Sequence, residues 1–265
     1  MNTATLAPAD FDDFGRCLPL GVSAPANARS RRYFRLGTPA LDPAAIHARL
    51  ARHLGAGKDM STDTFIQRIA ALRVRLAADP ATAGLLDGPA VPFILPRTPV
   101  TEIGTLLEEG YLPAVARSFE EAFPNARFTD HAHQGLGGKL SVQPGSRHEI
   151  LVDALAHGEV VGLYFPCLTE YSLPAAVERM AGLPEHLLLA GGFDTAAAFI
   201  AAPDLLLRTD GYPPLLLWLA GLQGEKPGIG YHFEAYGYNL TFNRRPHLDQ
   251  TAEYWWSGVT VLAPA

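Results

Sequence analysis

The segment Gly158–Pro166, "GEVVGLYFP", decides the fold that the sequence predicts. Its apolar residues do not alternate with polar ones, which is typical of a strand covered on both faces. Helical patterns lie before and after it. The last 50 or so residues have mostly strand patterns, in the runs "PLLLWLAG", "GIGYHFEAYGYNLTF" and "WWSGVTVLA". Because strands and helices do not alternate regularly, we predict an α+β fold with a mixed or largely antiparallel sheet and flanking helices.

The N-terminal part differs in composition from the rest. Residues 1–58 are rich in Pro, Ala and Arg and contain one predicted helix, Pro43–Leu54, before the linker-like "GAGKD". We therefore predict an N-terminal arm or helical lobe over 1–58 and an α+β domain over 59–265, forming one domain overall.

Charge and composition limit the partners. The 265 residues include 21 Lys+Arg and 27 Asp+Glu, giving a net charge of −6, and basic residues cluster only in the short "RSRRYFR". Nucleic acid and acidic membranes attract clustered positive charge, so neither is expected as a partner. No signal peptide or bilayer-length apolar run is visible, and the two cysteines lack CxxC spacing. The expectation is a soluble cytoplasmic protein.

The stretch Phe128–Glu149, "FTDHAHQGLGGKLSVQPGSRHE", is a candidate metal site. In an extended chain His131 and His133 project from the same face, as a metal-binding pair requires. A third ligand could come from Asp130, His148, Glu149 or Asp153. The HExxH pattern fails, however, because Val152 stands where the second histidine belongs. A polar strand edge beside a glycine-turn hairpin is the simpler interpretation, with a divalent metal as the alternative.

Nucleotide and nucleophile motifs are not matched. Lys139 has Gly138 before it but Leu140 after it, where a phosphate-binding loop has Ser or Thr, and a strand follows in place of a helix. There is no GxSxG motif. Cys167 follows the segment Gly158–Pro166 and is predicted to be a buried, slowly reacting thiol.

The stretch Gly228–Arg245, "GIGYHFEAYGYNLTFNRR", is the candidate ligand site. Alternation places four polar or aromatic side chains on one face of the predicted strand: His232, Glu234, Tyr236 and Tyr238. His232 and Glu234 could act as a catalytic base and its orienting carboxylate, with the tyrosines binding a ligand. Trp255 and Trp256 add aromatic density, which suits a small-molecule pocket or a contact between subunits of a homo-oligomer. A strand with one packed and one half-exposed face explains the same pattern.

Three segments in order resemble an uncharacterised family of bacterial proteins, mainly from actinobacteria. They are "VPFILPRTPV", "GLYFPCLTEYSLPAAVERMAG" and "PPLLLWLAGLQGEKPGIGYHFEAYGYNLTF". The family tends to place Trp and Cys after the turn in the third segment, where this chain has Tyr231 and His232. The resemblance implies a single-domain cytoplasmic protein of unknown role, and it brings no catalytic residues.

No enzyme signature or named cofactor follows from the sequence. The leading hypothesis is a protein that acts through small-molecule binding or protein association. The alternative is a metal-assisted hydrolase or isomerase that uses His131, His133 and either His148 or Glu149.

Overall fold

The computed structural model describes residues 9–30, 41–132, 135–207 and 215–264. The helices are α1 (Pro43–Leu54), α2 (Thr62–Ala78), α3 (Ile103–Leu106), α4 (Leu112–Ala122), α5 (Glu149–His157), α6 (Leu173–Met180) and α7 (Gly192–Ala201), with a 3-10 turn at Ala83–Asp87 and a π-helical segment at Leu107–Tyr111. The strands are β1 (Val91–Leu95), β2 (Phe128–Asp130), β3 (Leu140–Val142), β4 (Val160–Thr169), β5 (Leu187–Leu189), β6 (Leu216–Trp218), β7 (Leu222–Gly224), β8 (Gly230–Tyr236), β9 (Asn239–Arg245) and β10 (Trp255–Leu262). None of the helices in these ranges is both long and apolar enough to cross a bilayer.

The strands form a mixed sheet and a small second sheet. The main sheet has the order β1-β4-β10-β6-β8-β9-β2, with β5 pairing on β10. Of the strand pairs in the described residues, only β10–β6 and β2–β9 are parallel. Strands β3 and β7 pair separately and antiparallel. The predicted α+β fold with a largely antiparallel, mixed sheet is therefore confirmed.

Strand β4 is buried along its whole length and has neighbours on both sides, as its unbroken apolar run predicts. Strand β1 lies at the edge of the sheet, where Pro92 can be tolerated because its missing N–H is not needed by a second neighbour. Gly162 allows the two strands to pack closely, because a Cβ there would stand 2.5 Å from the Phe93 ring. The segment that starts at Gly158 thus forms an interior strand, next to the edge strand β1.

Helix α1 begins and ends as the sequence predicts. The Asp42 side chain accepts a hydrogen bond from the Ala44 N–H, Pro43 occupies the first turn, and Gly55 ends the helix at φ +72°. The helix buries Ile46 and Leu50 and packs against α2, α4, α7 and β1. The helix of the predicted N-terminal arm therefore contributes directly to the core.

Residues 9–30 form an extended strap across the end of β4 and α6. The strap makes bridges at Phe11–Cys17 and Ala26–Tyr171. The Arg16 Nε donates to Thr169 Oγ1 at 2.8 Å, and Arg179 pairs with Asp10. These contacts attach the strap at both of its ends.

The glycine turn at 135–138 does not form the predicted hairpin. Strand β2 pairs in parallel with β9, whereas β3 pairs with β7, so the two strands that flank the turn are not partners. Leu136 is completely buried, and its N–H donates to Glu108 Oε2 at 2.8 Å. Docking of Leu136 onto the α3–α4 region holds the turn against a helix and separates the strands on either side of it.

Candidate functional site

A cleft of about 600 Å³ opens between α6 and the connection from β7 to β8. Its walls are mostly apolar, with polar side chains and exposed backbone towards the rim. The lining residues are Gln143, Leu173, Pro174, Val177, Glu178, Ala220, Leu222, Gln223, Gly224, Glu225, Lys226, Pro227, Gly228, Ile229, Gly230 and Leu248.

The β7–β8 wall is shaped by glycines. Gly228 has φ +83°, and the Ile229 N–H donates to the Lys226 carbonyl at 3.2 Å, which makes a tight turn. At Gly230 a Cβ would lie 2.9 Å from Trp218 Cζ3 and 3.0 Å from Leu248 Cδ2. This wall can therefore present backbone to a ligand, and a side chain at 230 would disturb its floor.

The α6 wall is fixed by caps and by the strap. Ser172 caps the helix, and the Leu173 N–H donates to the Leu248 carbonyl at 2.9 Å. Hydrogen bonds from Ala24 and Ser23 to the Glu178 carboxylate hold the pKa of that carboxyl below its ordinary value. The Glu178 carboxylate is thus oriented by Ser23 and Ala24 of the strap, and Val177 lines the cleft beside it.

The remaining rim charges are adjacent and opposite in sign. Glu225 and Lys226 are both exposed, and Tyr231 Oη donates to Glu225 Oε2 at 3.5 Å. Gln223 Nε2 donates to Ser141 Oγ at 3.1 Å, which leaves its carbonyl oxygen as an acceptor at the rim. The rim therefore combines neutral hydrogen-bonding groups with the charged side chains of Glu178, Glu225 and Lys226.

An aromatic layer lies behind the cleft floor. The Trp218 ring, which contacts Gly230, packs edge-on against His232 at 5.0 Å and against Trp255 at 5.6 Å between centroids. His232 is completely buried, and burial lowers its pKa against the opposing effect of Glu234. This layer supports the floor from inside.

The structure brings His232 and Glu234 together, with His232 Nε2 at 3.4 Å from Glu234 Oε2. Arg245 Nη2 lies 3.6 Å from Glu234 Oε1, and its guanidinium is 5.4 Å from the centre of the Trp255 ring. Neither His232 nor Glu234 lines the cleft. The catalytic role predicted for the pair stays a prediction, because the two side chains lie in the layer behind the floor.

Among the described residues, four buried polar atoms of this layer have no hydrogen-bond partner: His232 Nδ1, Trp218 Nε1, Trp255 Nε1 and Ser257 Oγ. Buried polar atoms normally have partners, and leaving one unpaired costs about 1–3 kcal/mol. These unpaired atoms therefore lower the free energy of unfolding of the protein.

The other predicted ligand residues lie elsewhere. Tyr236 and Tyr238 are 67% and 82% exposed, and they flank Gly237 at the tip of the β8–β9 hairpin. The tip does not border the cleft. Their predicted role in ligand binding stays a prediction.

The predicted metal ligands are placed in different surroundings. His131 is exposed just after β2, His148 is completely buried beside Asp194, and His133 lies outside the described residues. Within the described ranges, no group of three His, Cys, Asp or Glu side chains is arranged to hold a metal ion. The predicted set that includes His133 remains a prediction.

The cleft was missed in the sequence because its walls come from distant segments. Val177, Leu222 and Leu248 border the same cleft only in the folded chain. The run "EKPGIG" holds the local signal for this wall, a proline–glycine turn.

Comparisons with known proteins add no family to this description. A scan against protein families, a search of curated proteins and a search of solved structures each found no match to the chain.

Proposed function

We propose that the protein binds a small, neutral molecule with an apolar body in the cleft between α6 and the β7–β8 connection. The observation that carries the proposal is the cleft itself, which has a volume of about 600 Å³. Pockets for small molecules usually have volumes of about 300–1,000 Å³ and are mostly apolar, with a few polar groups that orient the ligand.

The walls support an apolar ligand body. Leu173, Val177, Leu222, Ile229 and Leu248 offer side chains that would exclude water from a bound alkyl or aryl group. Burying that surface is the main favourable contribution available to the complex.

The rim supports a neutral hydrogen-bonding head group. Glu225 and Lys226 oppose each other in sign, and the Glu178 carboxylate is held by Ser23 and Ala24. An amide or hydroxyl could bond to the Gln223 carbonyl oxygen or to the glycine backbone without needing an ion partner.

The test is ligand-observed NMR with octanol, octanamide and benzamide as probes. We expect saturation transfer from the protein to at least one probe. Val177→Trp fills the cleft from the α6 wall and should weaken that binding at least tenfold.

The matched control is Val74→Trp on α2. Val74 is 70% exposed and does not line the cleft, so it adds the same indole at the surface without blocking the proposed site. Equal binding by both variants, or no transfer to any probe in the unmodified protein, would refute the proposed function.

A further inference from the structure

The two cysteines of the chain meet where the strap packs against β4. Cys17 lies in the strap and Cys167 in β4, about 150 residues further along the chain. The Cys17 N–H donates to the Cys167 carbonyl at 2.9 Å. Both residues belong to the hydrophobic core, and both thiols are free.

This backbone hydrogen bond sets the separation of the two residues. With standard bond lengths, an N–H···O=C bond of 2.9 Å holds the Cα atoms of its donor and acceptor residues about 5–6 Å apart. Cysteines joined by a disulfide usually have their Cα atoms about 4.4–6.8 Å apart. The backbones of Cys17 and Cys167 therefore already stand at the separation that a disulfide requires, and rotation of the side chains is the remaining step.

The contacts around Cys17 hold the strap in this register. Arg16 Nε donates to Thr169 Oγ1 at 2.8 Å, and Tyr171 Oη donates to the Cys17 carbonyl at 3.1 Å. Both partners follow Cys167 closely in the chain. The two thiols are thus held near each other by the fold, which raises the effective concentration of one at the other.

The two side chains also share one enclosed environment. Cys17 is completely buried and Cys167 is 6% exposed. Arg179 Nε donates to the carbonyl of Leu18, next to Cys17, at 2.8 Å. Burial raises the pKa of both thiols, and the Arg179 charge opposes that effect at each of them.

We propose that Cys17 and Cys167 form a reversible disulfide that locks the strap onto β4, with a small disulfide such as oxidised glutathione as the oxidant. One cysteine thiolate attacks oxidised glutathione and releases the first glutathione thiolate. The second cysteine then attacks the mixed disulfide and releases the other. The protein loses two electrons and two protons, and two molecules of reduced glutathione gain them.

The lock stabilises the folded chain. A disulfide that closes a loop of about 150 residues restricts the unfolded chain strongly, so Tm should rise by about 5–10 °C on oxidation. The same strap holds Glu178 of the cleft wall through Ser23 and Ala24. Oxidation would therefore also make the attachment of the α6 wall to the strap permanent.

The test is oxidation of the complete chain by glutathione, followed by thermal unfolding. Reduced native protein is incubated with oxidised glutathione, and a second sample is oxidised while unfolded and then refolded. Maleimide trapping in guanidinium and intact mass identify the product. We expect a monomer that carries neither maleimide nor glutathione, with the raised Tm in both samples. Because the refolded sample does not depend on the rate at which the strap opens, slow oxidation of the native protein leaves the Tm comparison decisive.

The controls are Cys17→Ser and Cys167→Ser, each compared before and after the same treatment. Each variant can form only a mixed disulfide with glutathione, so its Tm should not rise. An oxidised chain that fails to refold, or that has a Tm equal to or below that of the reduced chain, would overturn the proposal. An equal rise of Tm in either variant would overturn it as well, because the oxidant would then act elsewhere.

Discussion

At the residue scale, buried polar side chains fall into two groups that should respond oppositely to substitution. Ser118 and Ser257 are both buried, but Ser118 Oγ donates to the Ile200 carbonyl at 3.0 Å, whereas Ser257 Oγ has no partner. A satisfied hydroxyl stabilises the fold, and an unsatisfied one carries an uncompensated desolvation cost.

Ser257→Ala should therefore raise the free energy of unfolding by up to about 1 kcal/mol, and Ser118→Ala should lower it by about 1 kcal/mol. Urea unfolding of the two variants beside the unmodified protein measures both changes. A loss of stability in Ser257→Ala equal to that in Ser118→Ala would mean that Ser257 has a partner.

Buried histidines should make the protein less stable in mild acid. Burial lowers the pKa of His148 and of His232 below 6.5, so the unfolded chain binds more protons than the folded one between those lowered values and 6.5. Stability then rises with pH in that window and is lost as the pH falls, by up to about 1.4 kcal/mol per pH unit for each histidine.

Urea unfolding at pH 7.5 and pH 5.5 checks this sign. The midpoint should be lower at pH 5.5. The salt concentration is held constant, because screening of surface ion pairs would otherwise change as well. A midpoint that is unchanged or higher at pH 5.5 would contradict the assignment of both histidines as buried and neutral.

At the element scale, the close contact between β4 and its neighbours depends on one glycine. A Cβ on Gly162 would lie 2.5 Å from Phe93 Cζ and 2.7 Å from the Val261 carbonyl oxygen. Gly158, just before the strand, is extended and has open space where a Cβ would stand.

Gly162→Ala should therefore destabilise the protein by about 1–3 kcal/mol or more, as overpacking does. Gly158→Ala is the matched control and should change stability by less than about 0.5 kcal/mol. Thermal unfolding of both variants makes the comparison. Equal Tm values would show that β1 and β10 do not approach β4 as closely as described.

Elements with strong local signals could be predicted from the sequence. Helix α1 has its Asp42 cap, Pro43 and Gly55, and α6 has Ser172 and Pro174, so both start where the pattern predicts. Val115, Phe119 and Phe123 recur at helical spacing and indicate a helix from about Pro113, but the helical stretch already begins at Ile103. Its first turns give no such pattern, because the π-helical segment Leu107–Tyr111 breaks the apolar period.

At the scale of the whole molecule, the strap of residues 9–30 is attached to the interior strand β4. The Cys17 N–H donates to the Cys167 carbonyl at 2.9 Å, and Tyr171 Oη donates to the Cys17 carbonyl at 3.1 Å. Burial raises the pKa of Cys17 to about 11 and that of Cys167 well above its ordinary value. Both thiols are thus buried where the strap packs against β4.

Both cysteines should react slowly with a thiol reagent at neutral pH, because the reactive thiolate is scarce and the sulfur atoms are enclosed. Titration with a chromogenic disulfide should give full reaction only after the chain is unfolded in guanidinium. Rapid modification of Cys167 in the native protein would indicate an exposed thiolate and would revive a nucleophilic role for it.

The candidate site was less predictable than the fold, because long-range packing creates it. Alternation along β8 places His232 beside Glu234, but it could not show that Trp218 from β6 packs against His232 or that Trp255 from β10 packs against Trp218. The cleft itself needs Val177 and Leu248, which lie about 70 residues apart in the chain. Neither hydrophobic periodicity nor a local motif predicts a contact between residues so far apart in the sequence.

The most direct test of the central claim is a titration of ¹⁵N-labelled protein with the tightest-binding of the neutral probes, followed by amide chemical shifts. If the cleft binds the probe, the amide signals of Gly224, Gly228 and Gly230 should shift in a saturable way, and that of Gly158 should not. Saturable shifts centred on the exposed hairpin tip at Tyr236 and Tyr238, with the cleft glycines unchanged, would contradict the account.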